Sequence, residues 1–358
     1  MSTKKYKIVK SESIVYKGRT LYRIKALKTF CVACTAISIV VKKGELGGFI
    51  ETENNLSQEG YCWIFNNAKV YDDARVSEDA KICGGAEIFD SAEVFGNAEI
   101  SGNTQIFYGA HVCGNAKVYG YAKVCGKARV YGEAKVYNFA KILDNAQVYN
   151  NAKIYENAIV AGDVQIYHNA QVYGNAWIYD DAFICDNARI YGLAKIFNKA
   201  IVYGNAKVYG NAQIFGKAKV YGNAEVYENA AIFDYAFIFG DAKVFSNAKI
   251  FGTTWLYCAA KIGDKLSLNK GKYIFKSLNV DETLSKIEPI CYKISFAVRV
   301  IELKLPIEQG YIESLVSQFA EYDKLADSFC GRTYLSPKEK EILAMLSQCK
   351  EDVKILKK

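Results

Sequence analysis

The sequence predicts an all-β solenoid, a three-sided prism wound from short strands and sharp corners, and two observations carry that reading. From Ile64 to Ile262 an aliphatic residue recurs at every sixth position, and all 34 of these positions are Ile or Val except Leu256. Four residues after each stands a small residue, which is Ala at 30 of the 33 positions from Ala68 to Ala260, the others being Thr104, Val164 and Thr254. No insertion or deletion interrupts the rhythm, so one structural unit repeats and stacks on itself.

The unit is shown by Val118-Tyr119-Gly120-Tyr121-Ala122-Lys123. Side chains alternate across a strand, so Ala and Val of the run Ala-Lys-Val-Tyr point one way and Lys and Tyr the other. The next two residues are usually drawn from Gly, Asn, Asp and Lys. Gly and Asn tolerate the backbone angles of a tight corner. A strand and a corner every six residues, three per coil, make an 18-residue turn with Ala and Val filling a narrow interior. A period of five or a 3.6-residue helical period is absent. The 34 units amount to about eleven coils, and at roughly 4.8 Å per coil the prism is about 50 Å long.

An aliphatic residue followed by a small one four positions later also resembles the hexapeptide-repeat family. That resemblance implies a left-handed parallel β-helix; handedness does not follow from spacing. The stretch Gly44-Glu45-Leu46-Gly47-Gly48-Phe49-Ile50-Glu51, with Asn55-Leu56-Ser57 and Cys62-Trp63-Ile64, is similar to the segment that leads into the coils of YdcK-type proteins. The similarity covers about residues 13–262. Such proteins occur in bacteria, phages and prophages. The resemblance therefore implies a fold and an inhibitor or accessory protein acting on a host factor, with little about activity.

Three segments follow. Residues 1–63 lack the repeat and contain strand-like runs at Thr20–Ile24 and Ile37–Val41, which suits an N-terminal β cap and first coil, since a solenoid must cover its terminal strand edges. Residues 64–262 form the β-helix. Residues 263–358 read as a mainly helical domain: Ser336-Pro337-Lys338-Glu339 is a capping box with Pro at the first helical position, and a second helix is expected from Ile307 to Phe329. The net charge of +8, from 46 basic and 38 acidic residues, allows an acidic partner without demanding one. The first residues carry charge but no apolar secretory core, and no apolar run is long enough to span a bilayer. A cytoplasmic location with reduced thiols among the 11 cysteines is expected.

Stepping by 18 residues lists what stacks along the outside. One column set, beginning at Val70, is apolar in its second half: Tyr179, Phe183, Phe197, Ile201, Phe215, Phe233, Phe237, Phe251 and Trp255, with Lys219 among them. So large an apolar stripe calls for a cover, either the C-terminal helices, a second copy or a foreign partner. A second set, beginning at Val76, is basic: Lys117, Lys135, Lys153, Arg189 and Lys207, with Tyr131, Tyr149 and Tyr167 interleaved. It suits an acidic protein surface or a nucleic acid, or simply keeps a sheet soluble. A third, beginning at Ile64, carries an unbroken tyrosine column from Tyr119 to Tyr227.

Chemistry is sparse. Many hexapeptide-repeat proteins are acyltransferases that use a histidine as general base, and only His111 and His168 are present. Neither has an evident carboxylate partner by spacing, and a smooth prism offers no pocket unless subunits meet. His111 is the better candidate base. Cys31-Val32-Ala33-Cys34 is a lone pair of thiols to which Cys62 adds a third, one short of the usual zinc set. No metal or cofactor is expected. The leading expectation is a non-enzymatic scaffold that binds a protein partner or itself through flat aromatic and basic faces, without a membrane. A trimeric CoA-dependent acyltransferase is the alternative, and nucleic-acid binding by the Lys/Tyr face is the third reading.

Overall fold

From Trp63 onward the backbone repeats one motion: a two-residue strand, a two-residue turn, and a strand in the next sheet. The computed structural model describes residues 4–32, 39–257, 260–263, 265–270 and 272–274, together with 313, 317 and 352–354. The strands fall into three parallel stacks, which we call sheets A, B and C. Sheet A holds Lys69–Val70, Glu87–Ile88, Gln105–Ile106 and their successors; sheet B starts at Arg75–Val76 and sheet C at Trp63–Ile64. Each strand pairs in register with the strands 18 residues before and after it, as Lys135 does with Lys117 and Lys153. The architecture is an all-β parallel solenoid of about 12 turns with almost no helix among the described residues. This is one turn more than the repeat count suggests, because Leu46–Ile50 and Ser267–Leu268 also pair in parallel with sheet A.

The interior is as narrow as alternation requires. Every aliphatic repeat position from Ile64 to Ile250, and the small residue four later, is buried. The backbone ladder joins each coil to the next: Lys117 N–H donates to Ala134 O at 2.9 Å, Tyr119 N–H to Val136 O at 3.0 Å and Tyr121 N–H to Asn138 O at 2.7 Å. The first corner residue is left-handed throughout, at Gly120 (φ 78°), at Asn138 (φ 59°) and even at Tyr108 (φ 55°). Where an acid takes this position its carboxylate reaches the next coil. Glu78 accepts from Gly96 N–H at 2.9 Å and Glu156 from Gly174 N–H at 2.8 Å. Such a bond offsets part of the cost of a left-handed residue that carries a Cβ.

Five strands precede the coils: β1 (Tyr6–Tyr16), β2 (Arg19–Ala26), β3 (Phe30–Val32), β4 (Ile39–Val41) and β5 (Leu46–Ile50). The expected strand at Thr20–Ile24 lies in β2, and part of that at Ile37–Val41 is β4. The hairpin β1–β2 is antiparallel, β2 pairs antiparallel with β5, and β5 runs parallel beside Lys69–Val70. Sheet A thus changes from antiparallel to parallel at β5. Gly47 and Gly48 sit at that change because there is no room for a side chain: a Cβ on Gly48 would lie 2.6 Å from Ala68 O, and one on Gly47 equally near Ile64 O. Lys5 anchors the amino terminus. Its buried ammonium donates to Glu59 O and Cys62 O, both at 3.1 Å, and to Gly60 O at 3.3 Å.

The chain divides into two compact units, one holding residues 1–239, 243–255 and 262–271 and the other 240–242, 256–261 and 272–358. Of the described residues, no helix is long and apolar enough to cross a membrane. Of the helices expected at Ile307–Phe329 and after Ser336, only residues 313, 317 and 352–354 are described, and these are helical; the rest lies outside the described residues.

Candidate binding surfaces and a cleft beside the first coils

Each outward strand residue belongs to a column, and the sheets decide which columns are neighbours. Here the structure corrects the grouping drawn from the sequence. Tyr179, Phe197, Phe215, Phe233 and Phe251 follow the inward residues of sheet A, whereas Phe183, Phe237 and Trp255 precede those of sheet B. The apolar stripe is therefore not one face but two columns meeting across a corner. The basic set divides in the same way: Lys117, Lys135, Lys153, Arg189 and Lys207 belong to sheet C, and Tyr131, Tyr149 and Tyr167 to the edge of sheet B. The reason is the turn. Two successive outward residues with a corner between them point from different sheets, while residues on either side of one inward residue share a sheet.

Sheet C therefore unites the basic column with the tyrosine column. Lys135-Val136-Tyr137, Lys153-Ile154-Tyr155 and Arg189-Ile190-Tyr191 each place a cation and a phenol on the same flat wall. The rings from Tyr119 to Tyr227 stack 4.8–5.0 Å apart and nearly parallel. Their faces are turned to each other and their edges to solvent. Charge along the wall is uneven. Glu99 bridges Lys81 (3.3 Å) and Lys117 (2.8 Å), and Glu225 bridges Lys207 (3.1 Å) and Lys243 (3.0 Å). Burial would raise the Glu99 carboxyl, but Lys117 and Lys81 hold it below its ordinary value. Lys135, Lys153 and Arg189, between these two clusters, have no ion pair among the described residues. Burial, then neighbouring phenols, pushes Tyr155 up to about 12.

Tyr121 and Phe139 stack at 5.1 Å on the corner between sheets C and A, and with Trp177 and Leu193 they are about half exposed. None of the four stands out in the repeat, since corner residues vary and Trp177 takes a position usually held by Lys. The corner between sheets A and B carries the apolar pair of columns. Tyr179, Phe197, Phe215, Phe233 and Phe251 stack at 4.7–4.8 Å. Lys219 sits 5.5 Å over the Phe237 ring, and burial lowers its ammonium.

Both histidines have carboxylate partners, contrary to the expectation from sequence. His111 Nδ1 lies 3.6 Å from Glu93 Oε2, and His168 Nδ1 lies 3.0 Å from Asp186 Oδ1. Each partner is one coil away, so the signal was the 18-residue step. His168 occupies a left-handed corner and meets Tyr167 edge-on at 4.7 Å.

The outer surface is also less smooth than a prism. The single-turn 3-10 helix Glu53–Asn55 and the loop after it replace a regular first strand of sheet B, where only the bridge Leu56–Val76 forms. Two clefts open beside this step. One, of about 340 Å³, is lined by Arg19, Glu51, Asn54, Asp72, Asp73 and Arg75. The other, of about 370 Å³, is lined by Asn54, Ser57, Arg75, Ser77, Glu93 and Phe95. Arg19 is paired with Glu51 at 3.2 Å and with Asp72. Phe95 and Glu93, which line the second cleft, both neighbour His111: the Phe95 ring meets it edge-on at 6.5 Å, and Glu93 Oε2 lies 3.6 Å from its Nδ1. Nothing in the repeat marks this cleft, because the loop that makes it lies before the repeat.

Cys83, Cys113, Cys125 and Cys185 are partly buried thiols. Cys31 is exposed and Cys34 lies outside the described residues. Cys62 is buried with its sulfur 3.2 Å from Lys5 Nζ, and no group of three or more metal-type ligands occurs among the described residues. Compared with models of protein families and with curated proteins, the sequence matches none.

Proposed function

We propose that the chain is a non-enzymatic binding scaffold and that sheet C is its recognition wall for an acidic protein surface. One observation carries this: Lys135, Lys153 and Arg189 lack ion pairs among the described residues and share a flat sheet with an unbroken tyrosine ladder. Tyrosine supplies contact area at low entropic cost, and fixed stacking lowers that cost further. Unpaired cations steer an acidic partner and fix its register. The ring faces are occupied by one another, which disfavours the base stacking on which single-stranded nucleic-acid binding relies. On the resemblance to YdcK-type proteins, we take the coil to be the left-handed hexapeptide-repeat kind, capped by residues 1–63 and followed by a mainly helical segment. On the same ground we take the partner to be a factor met in a reducing cytosol, of the sort a phage or prophage protein inhibits or assists.

The test is affinity capture with the intact chain and with Lys135→Glu/Lys153→Glu/Arg189→Glu. An acidic protein retained by the first and lost by the second, with unchanged circular dichroism, supports the reading. Equal retention by both refutes it. If duplex or single-stranded nucleic acid binds instead, with affinity falling steeply with salt, the third reading holds. Acyl transfer remains the second reading because His111 lies beside Glu93 and Phe95, two residues that line a cleft. It requires that acetyl-CoA raise the melting temperature and that His111→Ala abolish turnover.

A further inference from the structure

Arg75 and Glu93 are aligned partners on adjacent rungs of sheet B. Elsewhere on the solenoid that relation brings opposite charges together, as in Lys117–Glu99 at 2.8 Å and Lys243–Glu225 at 3.0 Å. Arg75 and Glu93 make no ion pair with each other: Glu93 leans to His111, one rung further on, and the exposed Arg75 guanidinium has no carboxylate partner among the described residues. Both side chains line the same cleft of about 370 Å³. The amide of Asn54 and the hydroxyl of Ser77, on the same wall, make no side-chain hydrogen bond among the described residues, and Phe95 supplies an apolar surface.

We infer that this cleft binds a small zwitterion of the α-amino acid class, with its carboxylate on Arg75 and its ammonium on Glu93. The charge pattern selects that class. A plain anion drawn to Arg75 would lie one rung from the Glu93 carboxylate, and a plain cation drawn to Glu93 would meet Arg75. A ligand carrying both charges a few bonds apart satisfies both groups. The planar fork of Arg75 suits a carboxylate in a two-pronged bond, which a lysine cannot match. Asn54 and Ser77 are placed to add hydrogen bonds to the ligand carboxylate, and Phe95 takes the side chain. The volume fits a single amino acid, being near the lower end of small-molecule pockets. This inference concerns the first coils of sheet B and is independent of the wall on sheet C.

The experiment is a thermal-shift and calorimetric screen of the full chain against the free L-amino acids, one at a time and in large excess. For each amino acid that binds, the amine lacking the carboxylate and the acid lacking the ammonium are measured beside it. At least one amino acid should raise the melting temperature, and both truncated ligands should bind at least about tenfold more weakly. Arg75→Gln should reduce affinity for the amino acid to that of the amine, and Glu93→Gln to that of the acid, while Arg75→Lys should fall between. Both side chains reach solvent, so the three variants should melt like the parent without ligand; the amine and acid series tests the same idea on the unaltered chain. The inference is overturned if no free amino acid binds, if the acid alone binds as tightly as the amino acid, or if affinity survives both Arg75→Gln and Glu93→Gln. Charge reversal on sheet C should leave this binding unchanged.

Discussion

Replacing Thr104 by Val should stabilise the solenoid, whereas the same exchange at Thr254 should weaken it. Both threonines occupy interior positions that are otherwise almost always Ala, and both are fully buried. Thr104 Oγ1 has no hydrogen-bond partner, while Thr254 Oγ1 donates to Phe251 O at 2.7 Å and lies 3.2 Å from Leu268 O. An unsatisfied buried hydroxyl costs about 1–3 kcal/mol, and a made hydrogen bond contributes about 0.5–1.5 kcal/mol net. Val keeps the shape of Thr, so no cavity forms and the β-branched preference for strand is retained. Thr104→Val should therefore gain about 1–2 kcal/mol and Thr254→Val lose about 1 kcal/mol. Because a repeat array need not unfold in one step, a local readout is preferable to a single global midpoint. The Glu87 amide, which donates to Thr104 O at 2.9 Å, is suited to hydrogen exchange. Its protection should rise about tenfold in Thr104→Val if the gain is about 1.4 kcal/mol. For Thr254→Val the matching probe is the Phe237 amide, which donates to Thr254 O at 2.9 Å; if both substitutions move their own probe in the same direction, or Thr104→Val lowers protection at Glu87, the reasoning fails.

Other consequences are equally direct. In the tyrosine ladder, burial and neighbouring charges push Tyr155 and Tyr209 up to about 12; an unfolded phenol titrates near 10. The raised pKa favours the neutral native form, so this stability is complete below about pH 10 and is lost as pH rises towards 12. Absorbance at the tyrosinate band should therefore lag in the folded protein and rise with the loss of circular dichroism; titration near 10 with the fold intact would contradict it. Gly48→Ala should cost at least about 2 kcal/mol, read as a lower melting temperature, because its Cβ would meet Ala68 O and the Ile64 side chain. Tyr108→Gly should gain about 0.5–1 kcal/mol in thermal melting by relieving a left-handed residue (φ 55°), less the lost contact with Phe107.

The coil was legible because its interior leaves no freedom. Only a small and a branched aliphatic residue fit between three facing sheets, so the period survives in the letters. Corners were legible where Gly or Asn stands, and less so at Glu78 or Glu156, whose left-handed backbone is supported by a carboxylate bond to a residue 18 positions on. The same step hid the site chemistry. Glu93 and His111 look unrelated in a linear reading, yet the coil makes them neighbours. Sharing of a sheet by Lys135 and Tyr137, rather than Tyr131, depends on which residues flank a corner, a matter the columns alone leave open. The cleft was invisible because it forms where Leu46–Ser57 enters the coils without the repeat. Nor does any pattern announce Lys5, whose ammonium is satisfied by carbonyls more than fifty residues away.

Because one coil presents almost the same lining as the next, a growing chain that misaligned by 18 residues would pack its lumen about as well as one wound correctly. Alignment must then be enforced from the edges of the array. The lead-in strand β5, locked by two glycines against Ile64 and Ala68, sets the zero of the count, and the odd residues Thr104, Val164 and Thr254 act as graduation marks along it. Whole coils are in this sense interchangeable modules, so the length of the rod can change by 18-residue steps while the outer columns are rewritten for a new surface.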